Sequence, residues 1–414
     1  MQNVYDIIRD KNLNFILPQN AQLEEVSTTD LKGKVLVIIH LHYIDTVVNY
    51  IPYIEKIPDY ANIIITTSDS RIEQFFLESS FNGKERCKIL HKENRGRDIS
   101  SFLVAGRTEI LKHEYVCFLH DKKAKSERVK EEIEKWTYSL WENSLASTAY
   151  INNIIITFLK HPNIGVLVPP LFISESHPLV YKTSWDSNFS MMEQLAKKLE
   201  LNCNLNDEKC PITIGTVFWA KVDALKKLFE VAWQYEDFDP EPLKDDGTLS
   251  HVIERCFAYV AQDAGYDTGW VMTDIFAGER LQYEEELLQQ AFRRMELSLG
   301  IRNIIDLDCF EEKAYSLRDF CVGKEDIYIY GAGTIAKRCL LLTNYLNVQL
   351  KAFLVTDKAE SGKEIQGKPI IAIEEEDISD NSGIIVAVGF KYRQQVLHQI
   401  HKKCNGKEHI YVFT

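Results

Sequence analysis

The chain has 414 residues, a length that at about 100–200 residues per domain predicts two or three folded units. With 45% hydrophobic and 26% charged residues, it reads as a packed globular body and excludes a disordered tail or a collagen-like rod. Its 48 basic against 61 acidic residues leave a net charge of −13; this argues against a general binder of nucleic acid or anionic membrane, so an anionic ligand must meet a locally basic site.

No run approaches the roughly 18 consecutive apolar residues of a membrane-spanning helix. The start MQNVYDIIRDKN lacks the basic end and apolar core of a signal peptide, so the expected location is the cytoplasm, with peripheral association at the inner face of the cell membrane left open. The cysteines, 9 in all and scattered, form no C-x-x-C pair; reduced thiols are expected rather than a disulfide frame or a zinc site.

A polar leader over residues 1–30 precedes KVLVIIHLHY, a near-continuous β-branched run of the kind buried on both faces of a parallel sheet. A helix is predicted from Asp45 as N-cap, followed by the strand ANIIITTSDS, a helix, and the short strand CKILHKE, which runs into Asn94-Arg95-Gly96-Arg97-Asp98. A further helix over Ile99 to Leu111 leads to the strand YVCFLH, which stops at His120-Asp121-Lys122-Lys123. Polar clusters at the carboxyl ends of parallel strands mark the usual ligand crevice.

Beyond the charged stretch ERVKEEIEKWTYSLWENSL come a helix and the strand NIGVLVPP. Residues from about Phe172 to Cys210 show no clear period. CPITIGTVFWAKVDALKKLF reads as a strand passing into a helix, and DDGTLSHVIERCFAYVAQDAGY as one long helix ended by Gly265. Residues 281–322 are predicted as a charged helical connector, and 323–414 as a separate small α/β unit containing IYIYGAGTIAKR, LKAFLVTD, ESGKEIQGKPII and GIIVAVG.

Transfer of a sugar from a nucleotide diphosphate requires a polar carboxylate for base or ribose, cations for the leaving phosphates, and a base for the acceptor hydroxyl. Asp69 can serve the first need, or simply cap the next helix. Arg95, Arg97, Lys122 and Lys123 can serve the second. Asp246, beside Asp245 at the expected start of a helix, is the candidate base, and free helix N–H groups would fix it. Trp219 and Phe218 offer either a sugar platform or core packing. His40 and His42 face either the ligand or the core.

The ordered motifs ENRGRDISSFL, YVCFLHDKKAK, GTVFWAKVDAL and DDGTLSHVIER resemble the rhamnan synthesis protein F family of bacterial polysaccharide glycosyltransferases, from roughly Lys34 to Ala277. The resemblance implies an α/β, GT-A-like inverting glycosyltransferase domain over residues 31–280, with a nucleotide half and an acceptor half. It implies transfer of rhamnose from dTDP-L-rhamnose onto a cell-surface or lipid-linked glycan. By position, Asn94, Arg95, Gly96, Arg97 and Asp98 match the donor-side loop; His120, Lys122 and Lys123, where the YVCFLH strand ends, are further donor-side candidates. Gly215, Thr216, Phe218 and Trp219 match the acceptor side, and Asp246 with Glu254 and Arg255 the catalytic helix.

The D-x-D that holds a divalent cation in many such enzymes is replaced here by His120-Asp121-Lys122. One carboxylate makes a poor cage for Mg²⁺ or Mn²⁺, so a reaction without metal or other cofactor is expected. In the last unit, GAGTIA fits a Rossmann-like G-x-G-x-x-G/A turn, with Gly331 and Gly333 toward a pyrophosphate and Asp357 toward a ribose. Two rival readings remain: an NAD(P)- or sugar-nucleotide-binding oxidoreductase centred on that unit, and a non-catalytic scaffold for glycan assembly.

Overall fold

The computed structural model describes residues 4–124, 126–171, 185, 187–208, 212–213, 215–244, 246–299, 307–404 and 409–413. The chain divides into two compact units, Met1–Gln282 and Tyr283–Thr414, and both are α/β.

Among the described residues the first unit is built on eight strands: β1 (Asn14–Leu17), β2 (Val35–His40), β3 (Asn62–Thr67), β4 (Cys87–His91), β5 (Tyr115–His120), β6 (Ile164–Val168), β7 (Phe218–Lys221) and β8 (Asp267–Thr273). Their spatial order is β1-β8-β6-β7-β5-β2-β3-β4. Neighbours are parallel except at β7, which is antiparallel to both β5 and β6. All of β2 is buried, which is why it reads as an unbroken apolar run instead of an alternating one.

From β2 the chain steps outward to β3 and β4, then returns on the other side of β2 as β5. The carboxyl ends of β2 and β5 therefore flank a topological switch point, where open α/β sheets place ligands. His40 and His120 are register partners at this edge. Beneath it, the Phe102 ring lies 5.0–5.9 Å from those of Phe118, Phe218, Phe229 and Phe257.

Several expected elements differ. The leader contains β1, which pairs with β8 far along the chain, and Lys11 bonds Asp267 at 2.7 Å; four residues are too few to display a period. Asp45 lies inside a 3-10 turn over Ile44–Asn49, so it is not an N-cap. Ile99 to Leu111 is split into short helical pieces around a π turn, Ser101–Ala105. The aperiodic region includes a helix, Phe189–Lys198; residues 172–184 lie outside the described residues.

The expected long helix is two, Leu249–Glu254 and Phe257–Asp263. The guanidinium of Arg255 donates to the His251 carbonyl at 2.7 Å, the acceptor that a continuous helix would assign to the Arg255 amide. That amide turns to Val252 instead.

In the second unit, strands β9 (Ile327–Tyr330), β10 (Leu350–Val355), β11 (Glu364–Ile365), β12 (Lys368–Ala372), β13 (Gly383–Val386) and β14 (His409–Val412) lie in the order β11-β12-β10-β9-β13-β14. Only the β11–β12 hairpin is antiparallel. Helix Leu307–Cys321 precedes β9, and helix Asp274–Leu299 starts ahead of the expected connector.

Burying His40 has an acid-stability consequence. Its Nδ1 lies 3.1 Å from the Thr66 carbonyl, and burial, reinforced by the Lys92 ammonium, lowers its pKa to about 3. The unfolded imidazole titrates near 6.5, so between these values the unfolded state binds the extra proton. This contribution is complete above pH 6.5 and declines as pH falls toward 3. Urea unfolding of the native chain should therefore lose about 2 kcal/mol more between pH 6.5 and 5 than that of His40→Gln; parallel profiles would remove His40 as the acid-sensitive group.

Candidate active site

The turn after β4 is held from below by Lys92. This buried side chain donates to the carbonyls of Arg95 at 3.3 Å and Arg97 at 3.0 Å, and burial brings its pKa down to about 8. Gly96 sits at φ +70, where a Cβ would stand 2.6 Å from Cγ of Phe238, so the turn has no room for a side chain at this position. Asn94 is exposed and Arg97 half-buried, with Arg97 Nε 3.5 Å from Glu241.

Arg95 departs from the expected phosphate role. Its Nε donates to the Phe238 carbonyl at 2.7 Å and its Nη2 to that of Glu236 at 3.1 Å. The guanidinium is thereby spent on fastening a neighbouring loop.

From Asp98 a continuous polar chain crosses the carboxyl edge of the sheet. Asp98 lies 3.9 Å from Nε2 of His120, and that nitrogen is 2.8 Å from the Gly215 carbonyl. The Gly215 amide donates to Glu254 at 2.6 Å, and Glu254 meets Arg255 at 3.3 Å. Arg255 in turn lies 4.0 Å from Asp246. Burial acts to raise the Asp98 pKa, yet His120, Lys122 and His40 outweigh it and hold the carboxyl below its usual range.

Asp246 is held differently from expectation. Thr248, not Asp246, holds the N-cap position of the Leu249–Glu254 helix, and the Asp246 carboxylate is fixed by another segment: Asn188 Nδ2 donates at 2.6 Å, and Ser187 donates through Oγ at 2.9 Å and its amide at 3.2 Å. Burial opposes ionisation, but these bonds prevail and keep Asp246 below the usual carboxylate range. Asp245 lies outside the described residues.

The two lysines do not act as a pair. Lys122 turns inward, with its ammonium 4.2 Å from the Trp136 ring centre; burial lowers its pKa against the pull of Glu254 and Asp98. Lys123 points away to an ion pair with Asp45. Asp121 accepts from the amides of His42 and Tyr43 at 2.9 and 2.8 Å, so its carboxylate braces the turn after β2.

Asp69 caps the Ser70–Glu78 helix through the Arg71 amide and also pairs with the Arg71 guanidinium. Phe218 and Trp219 are fully buried, and the Trp219 indole donates to the Ser144 carbonyl. Neither ring has a free face for an acceptor, which corrects that expectation. Gly215, at φ +105, and Thr216, at φ 51, instead shape the backbone entering β7, and Thr216 bonds Asp98.

Sequence reasoning missed His251, which is half-buried and bonded to Thr248 at 2.8 Å. Burial lowers its pKa, and Glu254, Asp246, Arg97 and Arg255 all act on it. Its signal was its place between Asp246 and Glu254. Lys92 was visible as a basic residue bordering the Asn94 turn; Asn188 had no signal.

The second unit forms a distinct candidate site. Gly331, at φ +119, comes so near β13 that a Cβ would stand 2.7 Å from the Ala387 carbonyl oxygen. Gly333 is exposed at the N-cap of helix Thr334–Tyr345, and Asp357 accepts from the Ala359 amide at 2.9 Å.

In the first unit, then, a fixed carboxylate, Asp246, shares one polar network with Arg255, Glu254, Lys122 and Asp98. Such a set can bind a polar ligand, receive a proton and stabilise developing negative charge.

The uncharacterized protein WxcX of Xanthomonas campestris pv. campestris, in strains B100 and ATCC 33913, is 25% identical over 243 residues, covering 58% of this chain and 33% of each relative. The chain thus spans about a third of the length of these relatives. The model of rhamnan synthesis protein F matches residues 1–266. The chain belongs to the rhamnan synthesis protein F family.

Proposed function

We propose that the chain is an inverting glycosyltransferase of polysaccharide synthesis, with rhamnose from dTDP-L-rhamnose as the transferred sugar and a glycan or lipid-linked glycan as acceptor. The observation that carries this reading is the convergence of Asp246, Arg255, Glu254, Lys122 and Asp98, from distant parts of the sequence, in one network at the carboxyl edge of the sheet. Family membership supports the polysaccharide role. A parallel half, β5-β2-β3-β4, joined through antiparallel β7 to a second half supports the GT-A-like reading.

In the proposed single displacement, the acceptor oxygen forms a bond to C1 of the donor sugar as its proton passes to Asp246. The bond between C1 and the phosphate oxygen breaks, its electron pair leaves with the nucleoside diphosphate, and configuration at C1 inverts. Of the four cations the sequence offers, Arg97 and Lys122 keep their place around the departing charge and Arg255 joins them, while Arg95 and Lys123 are bonded elsewhere. Asp69 remains a candidate contact for base or ribose, the Asn94–Asp98 turn for the donor.

The second unit is proposed as a Rossmann-like nucleotide-binding module. Its support is the parallel strand order, the close approach at Gly331, the exposed Gly333 turn and the position of Asp357.

Asp246→Asn should lower transfer by about 10²–10⁴-fold, measured as nucleoside diphosphate release in the presence of acceptor, with the urea midpoint little changed. Near-native turnover would reject Asp246 as the base. The inward commitment of Asp121 supports transfer without a divalent cation. Rates in EDTA should therefore match untreated rates and gain nothing from Mg²⁺ or Mn²⁺; loss in chelator with recovery on adding metal would overturn this part of the proposal.

A further inference from the structure

A cleft of about 780 Å³ lies between the Ile44–Ile54 segment, the loop after β5 and the Lys130–Leu145 helix. Its volume falls within the range of about 300–1,000 Å³ typical of small-molecule sites. Tyr50 stacks on Trp141 at 4.2 Å as a rigid floor. Tyr53 and Tyr138 stand above it, their hydroxyls committed to Glu142 at 3.1 Å and Glu279 at 3.3 Å. These bonds orient the rings and make aromatic faces, rather than phenol groups, the main surface for a ligand.

The charges of the lining cancel: Lys122, Lys123 and Lys130 stand against Asp45, Glu127 and Glu134. Lys123 pairs with Asp45, and Lys130 lies 3.5 Å from Glu127. A phosphate-bearing ligand would find no net positive field here. A neutral polyhydroxyl ligand finds both of its requirements: ring faces for its C–H surfaces, and mixed donors and acceptors, with Asn49 and Thr137 among them.

Lys122 connects this cleft to the network around Asp246, since its ammonium interacts with Glu254 and Asp98. The burial of Phe218 and Trp219 also leaves β7 without a sugar platform. We infer that the cleft holds the neutral saccharide chain of the acceptor, an assignment that rests on the transferase reading and adds to it the place and chemistry of acceptor recognition.

The test is calorimetric titration of the full chain, and of its Tyr138→Ala and Tyr138→Phe variants, with three probes: a linear rhamnose tetrasaccharide, dTDP and inorganic pyrophosphate. Tyr138 is 40% exposed, so its replacement leaves the core alone. Tyr138→Ala should weaken tetrasaccharide binding at least about tenfold, a loss of about 1.4 kcal/mol. Tyr138→Phe, which keeps the ring, should bind it as the native chain does, and dTDP affinity should be equal in all three.

Equal tetrasaccharide affinity in all three proteins would overturn the assignment. So would loss of dTDP or pyrophosphate binding in Tyr138→Ala, which would give the cleft to the donor, or a native chain that binds dTDP but no tetrasaccharide. Binding requires no turnover, so an active Asp246→Asn would refute the proposed base and leave this result readable on its own.

Discussion

The carboxylate of Glu254 is the constraint on which the rest of the first unit's site depends. It accepts the Gly215 amide at 2.6 Å and meets Arg255 at 3.3 Å, so one side chain ties the entrance of β7 to the helix beyond Asp246. Gly215 holds φ +105 at that point, a conformation open to glycine at little cost. From there the chain enters β7 antiparallel to β5, and the Gly215 carbonyl comes within 2.8 Å of His120. A second bond, from the Thr213 hydroxyl to the Glu254 carbonyl at 2.9 Å, reinforces the same tie.

The electrostatics follow from burying charges of both signs together. A chain with net charge −13 concentrates Lys92, Arg97, Lys122 and Arg255 around Asp98, Asp246 and Glu254. Burial penalises each ion, and pairing and hydrogen bonds offset the penalty. Asp98 and Asp246 stay ionised because their partners prevail over desolvation. Lys92 and Lys122 are drawn downward because desolvation prevails over theirs. The result is a network in which the carboxylates are ready to accept protons and the cations are oriented in advance, the condition under which fixed charges act on a developing one.

Much of the strand pattern was legible in the sequence. The interiors of β2, β3, β5 and β6 are buried and read as apolar runs, which are visible without any knowledge of partners. The polar clusters ending β4 and β5 were visible because polar residues interrupt apolar strands where the sheet meets solvent and ligand, whereas Asp246 was visible as a carboxylate ahead of a helix and Glu254 through the family resemblance. β1 and the break at Arg255 were illegible because their causes are distant or geometric. β1 depends on β8 for its pairing, and the break depends on a guanidinium capturing the His251 carbonyl.

The sequence by itself determined two α/β bodies, the family, and the residue types that crowd the carboxyl ends of the strands, because burial and backbone geometry act on each segment locally. Which of those residues share a site was decided only by the tertiary structure. It turned Arg95 and Lys123 toward structural partners, enclosed Phe218 and Trp219 in the core, and gave Asp246 its support from Asn188 and Ser187. The physical reason is that a side chain's role depends on which hydrogen-bond and charge partners reach it first, and those partners come from segments whose proximity no local pattern encodes.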